Sequence, residues 1–176
     1  MHGRRVTSLG ALLVAGLLTT GARDGAERPT TTPAGPQEAE VVGVVLDPET
    51  RQPLVLLQGK RDQRSLAMAI GPFEATGIAA PLQGITPPRP LTHDLMLTLL
   101  GDLRARLVSI VITDLRDDIY FARLHLDVQG TPLLVDSRPS DAIALALRAK
   151  VPILVEDRVF AKAGLLAPKP GPTKPF

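Results

Sequence analysis

His93 and Asp94 are adjacent, and Asp114, Asp117 and Asp118 fall within one short stretch downstream. Aspartates accompanied by a histidine are the groups with which proteins hold Mg2+ or Mn2+ and activate a water for hydrolysis. The candidate catalytic set is therefore His93, Asp94, Asp114 and Asp117, with Asp114 and Asp117 as the candidate ligands of a Mg2+ or Mn2+ ion. Arg89, Arg116 and Arg138 are the candidates for substrate binding, because a guanidinium grips phosphate oxygens through parallel N–H donors. The Pro87-Pro88-Arg89-Pro90 stretch is rigid enough to fix the start of His93-Asp94. Each group also has a plain structural reading. Thr92-His93-Asp94 is an ordinary helix start, with Thr92 as cap and an acid in the first turn. Asp117-Asp118 is a solvated turn, Arg138 a partner for Asp136 or Asp141, and His125 a structural residue within a strand.

The elements that must position these residues repeat. Leu66 to Ala75 and Leu133 to Ala142 match at an offset of 67 residues. Each has a short apolar strand, a proline, an acid two residues later, and an Ala-rich helix. Proline suits the first helical position, where its missing N–H is not needed. Gly71 and Arg138 would be the caps, and Glu74 and Asp141 would meet free N–H groups in the first turn. Strands at Val41–Asp47 and Pro53–Gly59 precede the first unit; Leu107–Asp114 and Tyr120–Val128 precede the second, with Gln129-Gly130 as a hairpin turn. A helix begins near Thr92, and Leu95, Met96, Leu99, Leu100, Leu103 and Leu107 recur on one apolar face. Pro152 to Val155 is a short strand, and Asp157 to Ala163 a last helix stopped by Gly164. The expectation is an α+β fold, a duplicated β3-α unit forming a mixed sheet packed with helices.

Arg4-Arg5, the apolar run Leu9–Leu18 and the small residues Thr20-Gly21-Ala22 predict an export signal over 1–22, hence a periplasmic or secreted protein. The run is too short to span a bilayer, so no membrane span is expected after cleavage. A start site assigned too far upstream would instead leave the protein cytoplasmic. Residues 23–40 read as a disordered linker, 41–166 as the folded body, and 167–176 as a Pro-rich tail. The formal net charge of +2 comes from Lys169 and Lys174 in that tail, since the body balances 14 basic against 14 acidic residues. A neutral body gives little long-range pull on nucleic acid. The absence of cysteine removes thiolate metal sites and thiol nucleophiles. Four Phe, one Tyr and no Trp, scattered along the chain, form no stacking platform. No phosphate-binding glycine loop, nucleophile elbow or zinc-protease helix motif occurs.

Four ordered strings resemble one family. They are Ile70-Gly71-Pro72-Phe73-Glu74-Ala75, Pro87 to Leu95, Val111-Ile112-Thr113-Asp114-Leu115-Arg116-Asp117, and Asp136 to Ala146. In order and spacing they resemble the bifunctional nuclease domain family over residues 43–165. The resemblance implies a duplicated α+β fold, a homodimer, and nuclease activity on DNA and RNA. It brings no catalytic set, so the site residues above rest on their own chemistry. Pro81 departs from the pattern by interrupting the first repeat helix, which it should kink or end. The rival expectation is a non-catalytic dimeric module that binds a small ligand or a protein partner.

Overall fold

The computed structural model describes residues 35–166. The expected signal at 1–22, most of the linker and the tail at 167–176 lie outside the described residues. The chain forms β1 (Gln37–Leu46), β2 (Pro53–Gly59), β3 (Ser65–Ala69), α1 (Pro72–Leu82), α2 (Thr92–Asp102), β4 (Ala105–Arg116), β5 (Ile119–Val128), β6 (Thr131–Ser137), α3 (Pro139–Ala149), β7 (Ile153–Val155) and α4 (Asp157–Leu166). Asp117 and Asp118 both take positive φ, 48° and 61°, and so do Gln129 and Gly130 at 54° and 88°. Two successive left-handed residues match the right-handed twist of the flanking strands, so both turns close tight hairpins.

The strands form one sheet in the order β3-β2-β1-β7-β4-β5-β6. β4 and β7 run parallel, and the other neighbours are antiparallel. The fold is α+β with a mixed sheet, as expected. The two meanders, β1–β3 and β4–β6, lie on opposite sides of β7. The sheet also curls. Tyr120 on β5 donates its hydroxyl to the Ala67 carbonyl on β3 at 3.3 Å, although four strands lie between them in the sheet.

Helix α3 occupies the interior. Pro139, Ser140 and Ala142 to Ala146 are all buried. Its alanines let α1 and α2 approach closely, while Ile143 and Leu145 each contribute about 1.5–3 kcal/mol by leaving water. At its end Lys150 takes the left-handed conformation at φ 54°, which closes the helix.

Several boundaries differ from expectation for local reasons. β1 starts at Gln37, inside the expected linker, because Gln37 and Ala39 alternate inward against the exposed Glu38 and Glu40. An inward Gln hides that period in the sequence. It is satisfied here by donating to Asp62 at 3.0 Å and accepting from the Arg61 N–H at 3.2 Å. α1 holds Pro81 and ends one residue later, as expected for a ring that clashes with the preceding turn. α2 is capped by Leu91, not Thr92, which is already its first helical residue. Leu107 belongs to β4. α4 runs through Gly164 instead of stopping there.

The largest correction concerns the apolar stripe of α2. Most of it turns away from the core: Leu95, Leu99 and Leu103 are 52%, 50% and 71% exposed, while Leu100 packs inward as expected. The helix is instead oriented by His93, its buried residue, with Leu97 and Leu100 against the core.

Candidate functional site

The N-terminal turns of α1, α2 and α3 converge. Glu74 is the third residue of α1, His93 and Asp94 the second and third of α2, and Asp141 the third of α3, with Arg138 as the residue that caps α3. Neither Gly71 nor Arg138 makes a side-chain cap bond. Glu74 and Asp141, expected to cap their own helices, turn their carboxylates to Arg138 instead. Arg138 donates from Nε to Asp141 Oδ2 at 2.7 Å, from Nη2 to Asp141 Oδ1 at 3.0 Å, and from Nη1 to Glu74 Oε1 at 2.9 Å. Asp141 Oδ1 also lies 3.3 Å from His93 Nε2. The result is one chain, Glu74–Arg138–Asp141–His93, joining three helices.

This arrangement assigns the histidine tautomer. An ionised carboxylate has no proton to give, so Nε2 carries the hydrogen and Nδ1 carries the lone pair. Among the described residues no protein group bonds to Nδ1, and no side-chain nitrogen or oxygen is sealed away without a partner. Nδ1 thus keeps some exposure on the ring edge that packs beside Gly77, and His93 lines a cleft of about 510 Å³ with Phe73, Gly77, Met96, Arg138 and Asp141. The ring fits only because residue 77 is glycine. A methyl there would lie 2.9 Å from His93 Cε1 and 3.1 Å from Nδ1.

Asp94 serves a second link. Its Oδ2 accepts from the Leu91 N–H at 2.9 Å, and its Oδ1 from Arg148 Nε at 2.8 Å. Arg148, almost wholly buried, also donates to the carbonyls of Gly77 at 2.6 Å and Ala144 at 2.9 Å. Arg148 thus ties α1, α2 and α3 together behind His93. Burial pushes the Asp94 and Asp141 carboxyls up, but their hydrogen bonds outweigh it and hold both below the ordinary value. For Asp94 the bonds come from Leu91 and Arg148, and for Asp141 from Arg138 and His93.

Asp114 stands in a different cluster. Lys162 on α4 donates to its Oδ1 at 2.6 Å, Arg116 to its Oδ2 at 2.7 Å, and the Leu115 N–H to Oδ1 at 2.9 Å. The Lys162 bond, then those of Arg116 and Leu115, holds its carboxyl well below the usual carboxylate range. Arg116 also stacks over the Phe121 ring at 5.3 Å. Asp117 sits exposed in the β4–β5 turn, and its neighbour Asp118 lines a second cleft beside Arg138. The sequence-derived residues thus divide. His93, Asp94 and Arg138 come together; Arg89 lines an adjoining cleft with Asp94 and Arg148; and Asp114 and Arg116 join Lys162 elsewhere. A Mg2+ or Mn2+ ion does not fit Asp114 and Asp117 as they stand. The first carboxylate is already paired with two cations, and among the described residues no three His, Asp or Glu side chains group to hold a metal.

Three contributors escaped the sequence reading. Glu74 reads in sequence only as a cap, Asp141 as a cap or a partner of Arg138, the pairing that forms, and Arg148 carries no motif. The acids' shared position in both matched segments was the available signal, since a cap alone does not explain the lone Arg138.

Comparisons with known proteins bear on the same region. The model of the bifunctional nuclease domain matches residues 55–168. An uncharacterized protein of Mycobacterium tuberculosis strain H37Rv is 44% identical over 131 residues, 74% of this chain and 78% of the relative. Bifunctional nuclease 1 of Oryza sativa subsp. japonica is 31% identical over 102 residues, 56% of this chain and 31% of the rice protein.

Proposed function

The chain belongs to the bifunctional nuclease domain family, and from that premise we propose that it is a nuclease acting on the phosphodiester bonds of DNA or RNA, with its chemistry in the cleft between α1, α2 and α3. The observation that carries the reading is the His93–Asp141 contact opening onto that cleft. His93 Nδ1 is the general base: it takes a proton from the attacking water as that oxygen bonds to phosphorus, while the bond from phosphorus to the leaving sugar oxygen breaks and that oxygen takes up a proton from solvent water. Asp141 holds the ring in the productive tautomer and stabilises the imidazolium that results. A guanidinium has five N–H groups, and Arg138 gives three to Asp141 and Glu74. The remaining two, on an exposed side chain, are free to hold a phosphate oxygen.

The test is cleavage of end-labelled RNA and DNA by the full chain, with Mg2+, with Mn2+ and in EDTA. Cleavage that persists in EDTA and is lost in His93→Gln supports the reading. Cleavage unaffected by that substitution overturns it.

A second property is supported by exposed apolar surface. Leu95 and Leu99 on α2, Leu103 just beyond its end, and Leu133 and Leu134 on the edge strand β6 are all about half exposed or more. Such surface favours association, and the proposed partner is a second copy of this chain. Sedimentation of the wild type against Leu99→Glu and Leu134→Glu decides it: a dimer that dissociates supports the proposal, and a monomeric wild type ends it. Export, resting on Arg4-Arg5 and Leu9–Leu18, belongs to the same proposal and is checked by cell fractionation.

A further inference from the structure

Phe73 is the second residue of α1 and is 90% exposed. A single exposed ring needs no explanation by itself. This one, however, lines the same cleft as His93, Asp141 and Arg138, with Met96 and Leu91 beside it. The residue that follows it, Glu74, is bonded to Arg138. Among the described residues, Phe73 is thus the aromatic ring that lines the candidate site. Glu74 and Asp141 outnumber Arg138, and the folded body is neutral. Coulombic attraction therefore supplies little affinity for a polyanion. A neutral aromatic face supplies it without charge and accepts any base. The cleft volume of about 510 Å³ lies in the range that holds a nucleotide-sized group.

We propose that the site takes single-stranded nucleic acid, with one base stacked on Phe73 and the adjoining phosphodiester directed toward His93 and Arg138. Duplex is rejected because its bases are already stacked on each other and present no free face to the ring. Phe73 is thereby a specificity-determining residue. This rests on the nuclease reading for its location, but it makes a separate claim about binding.

The experiment measures both binding and cleavage. Fluorescently labelled 12-nucleotide single strands of RNA and DNA, and the duplexes of the same sequence, are titrated with the full chain and followed by anisotropy and by gel. Wild type should bind and cleave single strands in preference to duplex, with a shallow salt dependence. Phe73→Ala should weaken single-strand binding and raise KM by about 5- to 150-fold, the span expected for losing one base stack. Phe73→Trp should restore both, and kcat should change little. Equal use of duplex and single strand, or equal KM for Phe73→Ala and Phe73→Trp, overturns the proposal while leaving the nuclease reading intact. A change of sedimenting mass in Phe73→Ala with unchanged KM overturns it in favour of a contact between copies. Phe73-dependent binding without cleavage supports the stacking site and removes the nuclease reading instead.

Discussion

His93 Nε2 and Asp141 Oδ1, 48 residues apart in the chain, meet at 3.3 Å across the interface of α2 and α3. The contact leaves Nδ1 as the free lone pair of the neutral ring, on a residue that lines a cleft. Everything proposed about chemistry depends on that orientation. Replacing Asp141 by Asn offers an amide whose oxygen or nitrogen could face the ring, so the tautomer is no longer enforced. Asp141→Asn should lower kcat by about 10²- to 10⁴-fold, the usual worth of a positioned base, while the thermal transition stays cooperative. Steady-state nuclease assays beside circular dichroism melting check this.

Gly77 gives a gentler perturbation of the same ring. A methyl at residue 77 would stand 2.9 Å from His93 Cε1, closer than packed carbons approach. Gly77 lies inside α1, where alanine is otherwise the better helix former by about 0.5–1 kcal/mol. Gly77→Ala should therefore reduce kcat without a matching loss of helix content. Unchanged kcat would mean that His93 needs no fixed position.

Arg148 is predicted to matter for stability. It is almost wholly buried and satisfies Asp94 and two carbonyls on different helices. Arg148→Met keeps the aliphatic stem but removes the donor to Asp94 Oδ1 and to the Gly77 and Ala144 carbonyls, while the Leu91 N–H still serves Asp94 Oδ2. Stability should fall by about 1–3 kcal/mol, the cost of stranding buried polar groups, with the partly exposed Asp94 rehydrating in part. Urea unfolding followed by circular dichroism measures it.

Asp114 should separate stability from catalysis. It is held by Lys162 and Arg116, away from His93. Asp114→Asn should lower Tm near neutral pH and leave KM and kcat close to wild type. Its pH signature is distinctive. A carboxyl whose pKa lies lower in the folded than in the unfolded chain binds fewer protons when folded. It stabilises above the unfolded value, and that stability is lost as pH falls. Asp94, Asp114 and Asp141 all lie below the ordinary 3.8. Tm should hold from neutral pH to about pH 5 and fall below it. In Asp114→Asn the fall between about pH 5 and about pH 3 should be smaller.

The sequence by itself determined the element order, the two hairpin turns, the proline-started helices and the membership of α+β folds. Those features are local: they depend on turn chemistry, a missing N–H, or side chains alternating along a few residues. It also placed His93, Asp94 and Arg138 at helix starts. Tertiary structure alone decided what those side chains touch. The Leu95-Leu99-Leu103 stripe has the period of a buried face, yet α2 turns it outward because His93 and Leu100 pack toward the core. Asp114 has the chemistry of a metal ligand, but a lysine 48 residues away occupies it. Asp141 has the position of a cap, but Arg138 and His93 claim it. A carboxylate binds the cation or donor that packing brings nearest. Distance along the chain says nothing about which one that is.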